Sequence, residues 1–250
     1  MGDVETYILQ KIASKGSIHF TLLDPDKVQP LQASQIATKL EALGTSAILI
    51  GGSTVVSVSQ LDEVVKEVQK TVQIPVILFP NHITGISQFA DAILFMSLLN
   101  SDNPLFISGI QALGAPLIKR YNLETLPLGY IIIDSGSTAA YIGQARALPR
   151  NKPEIAASFA LAAQYLGMRF VYLEAGSGAK SPIPYEMIRY VKDAIDIPLI
   201  VGGGIKTGEV ARNVVKSGAD IVVTGTIIEH MQQEQSILSI ITAIHNEKPR

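Results

Sequence analysis

Short apolar runs alternate with longer amphipathic stretches from one end of the chain to the other. Residues 17–23, 47–50, 75–79, 92–96, 128–133, 169–173, 198–201 and 221–224 are apolar with little alternation, which predicts parallel strands covered on both faces. Between them, residues 31–43, 61–72, 155–166, 185–195, 209–216 and 227–244 carry apolar positions at three- and four-residue spacing and predict helices. Pro184 and Thr207 act as start signals, and Gly44, Gly167 and Gly218 as stops. Late in the chain, "IPLIVGGGI" and "ADIVVTGTII" repeat the passage from helix to strand to glycine turn. Eight successive βα units in 250 residues favour an α/β fold of the (β/α)8 TIM-barrel type over an open doubly wound sheet. Glycine and proline are spread out rather than pooled in a linker, so residues 1–250 read as a single barrel domain.

Composition narrows the function. With 47% hydrophobic and 17% charged residues the chain can bury a large core and is not a disordered segment. A net charge of −2 offers no basic field for nucleic acid or anionic lipid. The absence of cysteine excludes a disulfide framework, thiol catalysis and a cysteine zinc site. Mean hydropathy is high at +0.30, yet no run of 18 apolar residues spans a bilayer. The first ten residues, with Asp3 and Glu5, lack a basic-then-apolar signal pattern. The expectation is a soluble, cytoplasmic protein.

In such a barrel, ligands meet the C-terminal ends of the strands. The last two ends, Gly202-Gly203-Gly204 and Gly225-Thr226, let backbone N–H groups approach an anion at the place where barrels usually bind phosphate. The plainer alternative is that these glycines only turn the chain. Glu174 ends an apolar strand, where a carboxylate has little reason to stand unless it meets a ligand or a cation such as Lys180 or Lys206; Gly176-Ser177-Gly178 follows it. Asp24 and Asp26 face Ser53 and Thr54 from the adjacent strand end, a hard-oxygen set suited to Mg²⁺ if phosphate supplies further ligands. Asp-Pro-Asp serves equally as a turn and helix cap. The four histidines lack metal-ligand spacing: His19 reads as core or lumen filling, His82 as a candidate for the mouth, and His230 and His245 as helix-surface residues. No Gly-x-Ser-x-Gly elbow follows a strand, and Gly51-Gly52-Ser53 does not continue into a P-loop lysine.

"HFTLLDPDK" at 19–27, "ILIGGST" at 48–54, "YLEAGSGA" at 172–179, "IVGGGI" at 200–205 and "VTGTIIE" at 223–229 together resemble the geranylgeranylglyceryl phosphate synthase family over essentially the whole chain. The late glycine motifs are shared with many phosphate-binding barrels; the ordered set "LLDPDK", "GGST" and "YLEAGSG" is far more specific. The N-terminal helix and the length resemble the archaeal branch, since the bacterial branch typically carries a lysine where this chain has Leu22. The resemblance implies a Mg²⁺-dependent prenyltransferase joining the sn-3 hydroxyl of sn-glycerol 1-phosphate to geranylgeranyl diphosphate. It implies that Asp24 and Ser53 hold the metal. Tyr172, Leu173, Glu174, Ala175, Gly176, Ser177 and Gly178 would bind the glycerol, with Glu174 on its hydroxyls. Gly203, Gly204, Gly225 and Thr226 would bind its phosphate. It also implies a homo-oligomer, a dimer or higher.

Physical reasoning fits that reaction: metal charge stabilises a departing diphosphate, and Glu174 orients or deprotonates the attacking hydroxyl. The prenyl chain needs an apolar groove, for which Ile83, Phe89, Phe95, Leu98, Leu99, Leu105, Phe106 and Tyr141 are candidates. No basic amphipathic anchor calls for more than transient membrane contact. Two other readings stay open on sequence: a phosphosugar isomerase or synthase using Asp24 and Glu174, and a non-catalytic phosphometabolite-binding barrel.

Overall fold

A computed structural model describes residues 1–52, 57–134, 136–225 and 234–247. Helix α1 (Asp3–Lys15) leads into β1 (Ile18–Leu23), followed by α2 (Pro30–Ala42), β2 (Ala47–Ile50), α3 (Val58–Gln69) and β3 (Val76–Leu78). Then come β4 (Ala92–Leu98), α4 (Ile110–Tyr121), β5 (Glu124–Ile132), α5 (Thr138–Ile142) and α6 (Pro153–Tyr165). The chain ends with β6 (Phe170–Glu174), α7 (Tyr185–Ala194), β7 (Leu199–Gly202), α8 (Gly208–Lys216), β8 (Ile221–Thr224) and α9 (Glu234–His245). The eight strands run parallel in chain order and close into a barrel, with β8 pairing back onto β1.

Alternation along each strand sorts the core into two shells. Ile18, Phe20, Leu49, Ile77, Leu128, Phe170 and Ile200 fill the lumen, while their sequence neighbours pack outward against the helices. The helices meet them with stripes at three- and four-residue spacing, such as Leu61, Val64, Val65 and Val68 in α3. This double coverage explains why the strands read as continuous apolar runs.

The fold is the expected (β/α)8 barrel, with two departures from eight single-helix units, one at β3–β4 and one at β5–β6, which carries both α5 and α6. The β3–β4 connection holds a single 3₁₀ turn, Ile83–Gly85, in place of a helix. Conversely, α4 was absent from the predicted helices. Its sequence IQALGAPLIKRY has no polar stripe before its last turn, and Gly114 and Pro116 imitate break signals. A π-helical turn, Leu105–Gly109, leads into it.

β5 starts four residues earlier than its apolar run, at Glu124, because that carboxylate serves another element. Glu124 accepts hydrogen bonds from the N–H groups of Val4 and Glu5, each at 2.8 Å, and so caps α1 from below the barrel. The predicted final helix at 227–244 corresponds to α9 from Glu234 onward; its first residues lie outside those described.

Candidate active site

Barrel register brings three strand ends side by side: Ile132 of β5 pairs with Glu174 of β6, and Glu174 with Gly202 of β7. Glu174 shares the lumen-facing parity of Phe170 and Tyr172, so its carboxylate points into the mouth instead of toward the helices. It is only 7% exposed. The Tyr130 hydroxyl donates to Oε2 at 3.1 Å, and the Gly176 N–H donates to Oε1. Tyr172 adds a third donor. These partners, and not Lys180 or Lys206, hold the carboxylate. Burial pushes its pKa above the ordinary carboxylate value, and the three hydrogen bonds oppose that rise without cancelling it. Both tyrosines are driven well above their usual pKa, first by burial and then by the Glu174 charge, so they remain neutral donors.

Phe79, Tyr130 and Tyr172 form an aromatic layer beneath the carboxylate, with ring centroids 5.1–5.8 Å apart. The Tyr172 hydroxyl fits only because residue 202 is glycine; a Cβ there would stand 1.9 Å from it. Gly203 adopts φ +85°, and a Cβ on it would lie 2.8 Å from both Glu174 Oε1 and the Gly176 nitrogen. The glycine turn after β7 therefore packs directly on the Glu174 loop, with Gly204 against the backbone of Ser181. Gly225 follows β8 next to Leu22. Thr226, Ser53 and Thr54 lie outside the described residues.

At the other side of the mouth, the Asp24 carboxylate stands over Gly52, 2.6 Å from where a Cβ would be placed. Its Oδ1 accepts the Asp26 N–H at 3.1 Å, and its Oδ2 lies 3.4 Å from Lys27 Nζ. The turn reading of Asp-Pro-Asp is thus real, but no helix is capped, since α2 begins only at Pro30 behind Gln29. Gln60 of α3 fixes the same loop by donating to the Pro25 carbonyl at 2.6 Å. The Asp24 side chain is 14% exposed. One hard carboxylate with access to solvent fits Mg²⁺, which takes few protein ligands and completes its octahedron with water and phosphate oxygens. Asp26 is exposed.

A largely apolar cavity of about 160 Å³ joins the two sides. Glu174, Ser177, Tyr130 and Gly52 line it at the barrel mouth, and it extends past Phe79 and Met96 to Ile86, Gly114 and Ile118 in the helix layer. It occupies the sector where the β3–β4 connection lacks a helix. Of the groove candidates, Ile83, Phe95, Leu98 and Phe106 line it, as does His82. Phe89 instead lies under Lys66, Leu99 packs toward the opposite core, and Leu105 and Tyr141 are exposed. Sequence reasoning missed Tyr130 and Gly114. Tyr130 lies at lumen parity near a strand end, but its meeting with Glu174 depends on the register of β5 against β6; Gly114 sat in a helix not predicted.

Fold and site together define a barrel enzyme with a buried carboxylate, an adjoining glycine nest and an apolar side cavity opening on one mouth. The sequence profile described as the PcrB family matches residues 10–244, and the chain belongs to that family. It is similar to geranylgeranylglyceryl phosphate synthase of Pyrococcus abyssi, with 55% identity over 92% of this chain and 91% of that one. The same enzyme of Pyrococcus furiosus is 57% identical over 92% and 91%. Among solved structures, (S)-3-O-geranylgeranylglyceryl phosphate synthase from Thermoplasma acidophilum, in complex with substrate sn-glycerol-1-phosphate, superposes with a TM-score of 0.94. That match has 38% identity and covers 99% of this chain and all of the other.

Proposed function

We propose that the chain is a prenyltransferase that joins the sn-3 hydroxyl of sn-glycerol 1-phosphate to the allylic carbon of geranylgeranyl diphosphate. The carbon–oxygen bond to diphosphate breaks, the ether bond forms, and the hydroxyl proton passes to Glu174. The single observation that carries this reading is the shared cavity: Glu174, Ser177 and Gly52 face a common space whose far end is apolar. A phosphosugar isomerase would have no use for that apolar end. The names of the similar proteins and the sn-glycerol-1-phosphate in the Thermoplasma complex support the same substrates.

Each residue has a defined task. Glu174, kept basic by burial and oriented by Tyr130 and Tyr172, holds the acceptor hydroxyl and takes its proton. Tyr172, Leu173, Ala175, Gly176, Ser177 and Gly178 frame the glycerol. The backbone at Gly203, Gly204, Gly225 and Thr226 holds its phosphate. The cavity wall excludes water from the allylic end of the donor. Asp24 and Ser53 would hold Mg²⁺, which when bound neutralises charge on the leaving diphosphate.

No helix among the described residues is long and apolar enough to cross a membrane. We place the enzyme in the cytoplasm as a homo-oligomer with only transient membrane contact; exposed Tyr165, Leu166 and Tyr190 offer apolar surface for a second copy. The deciding experiment is incubation with sn-glycerol 1-phosphate and prenyl diphosphates of several lengths, with and without Mg²⁺, with the product identified by mass. An ether product of geranylgeranyl mass that needs Mg²⁺ is expected. Phosphate-ester binding without turnover would support a sensor instead.

A further inference from the structure

His19 is a buried imidazole that the proposed chemistry does not use. It belongs to β1 but faces away from the lumen, since its neighbours Ile18 and Phe20 fill that space. The ring bridges two hydroxyls, with Nδ1 2.7 Å from Thr45 Oγ1 and Nε2 2.8 Å from Thr224 Oγ1. Thr45 also lies 3.2 Å from Thr21 Oγ1 and donates to the His19 carbonyl at 3.2 Å. Burial, with the nearby His245 adding a like charge, depresses the His19 pKa to about 3. The ring is therefore neutral, and each nitrogen has one fixed role, donor or acceptor.

Thr224 is the last residue of β8 and immediately precedes Gly225. The β7–β8 register ends at Gly202 and Val223, one residue short of it, whereas β1 still pairs Thr21 with Thr224. The end of β8 is thus held from the β1 side, and the imidazole adds a side-chain tie at the last position before a glycine that has no side chain to anchor itself. An apolar residue of the same size would fill the space but could not hold the Thr224 hydroxyl.

We propose that His19 is a positioning residue for the acceptor phosphate: through Thr224 it fixes where Gly225 stands in the anion nest. This rests on the function proposed above and adds a residue outside the mouth to its machinery.

The test is steady-state kinetics on the full chain with His19→Leu, Thr224→Val and the double variant. KM for sn-glycerol 1-phosphate should rise about tenfold in each single variant, the effect of losing the buried His19–Thr224 hydrogen bond that both variants remove. The double variant should be no worse than either single one. KM for geranylgeranyl diphosphate and kcat should change by less than about twofold. His19→Gln, whose amide both donates and accepts, should recover part of the loss. An unchanged acceptor KM, or losses spread equally over both substrates, overturns the proposal. If His19→Leu does not fold, Thr224→Val, which deletes one hydroxyl and keeps the side-chain shape, decides alone. Calorimetric binding of inorganic phosphate reads the nest without turnover and should weaken about tenfold in the same variants. Unchanged phosphate binding sinks the role of His19 even in a chain that makes no ether, whereas weakened binding in such a chain sinks only the assigned reaction.

Discussion

Glu174 concentrates the tension between folding and chemistry in one side chain. A buried carboxylate is costly to ionise, and here three hydrogen bonds reduce that cost without removing it. Two outcomes follow. Glu174→Gln should lower turnover by about 10²–10⁴-fold while leaving phosphate binding in place, as calorimetry on the same variant would show. Because the folded-state pKa is raised, the native protein binds the extra proton, so its stability falls as pH rises through the window above the ordinary carboxylate range. The Gln variant escapes that loss and should melt at a higher temperature than the wild type at pH 8. An unchanged or lower melting point would mean that the three donors already compensate burial in full. Tyr130→Phe tests the same balance from the other side. It removes a bond that favours the charged form, so the Glu174 pKa should climb further and the acid limb of kcat/KM should move to higher pH. An acid limb that stays put would separate Tyr130 from the titrating group.

At the scale of elements, the informative feature is an unequal division of labour among connections. Seven of the strand connections carry a full helix against the barrel, counting α9 after β8, and the third carries only the turn at Ile83–Gly85. The side cavity occupies that sector, with its outer wall built by α4. Gly114 lies at the wall, where a Cβ would approach Ile86 Cδ1 to 3.1 Å. Gly114→Leu should therefore shorten the space and shift preference from twenty-carbon toward shorter donors, measured as the ratio of kcat/KM for the two lengths. An unaltered ratio would place the far end of the chain elsewhere. The same region marks the limit of what the residue pattern reveals. Strands such as Ala47–Ile50 and Ile221–Thr224 are legible to the residue because both faces are buried and β-branched residues dominate. α4 is not legible, because its solvent-facing positions Ala112, Leu113, Ala115 and Pro116 are apolar, so no polar stripe marks its exposed face until Lys119. Among site residues, Glu174 and Gly203 stood out as a carboxylate and a glycine at strand ends, and the structure brings them together. Tyr130 did not, because its role depends on the register of β5 against β6.

Seen whole, the molecule separates two jobs by pole. All eight strands point the same way, so Asp24, Glu174 and the glycine turns gather at one rim. At the opposite rim, α1 is fastened by Glu124, and its buried Glu5 meets Arg169 at 2.7 Å. Glu124→Ala should remove a helix cap worth about 1–2 kcal/mol and lower the melting temperature. It should leave the KM of both substrates unchanged; a shift in either would show that the far rim speaks to the mouth. The capping of α1 by a strand's first residue thus has a practical corollary. Endurance to heat and the ability to react can be adjusted at separate addresses, so selection for a hotter or colder habitat could work on the floor of the barrel without renegotiating the chemistry at its ceiling.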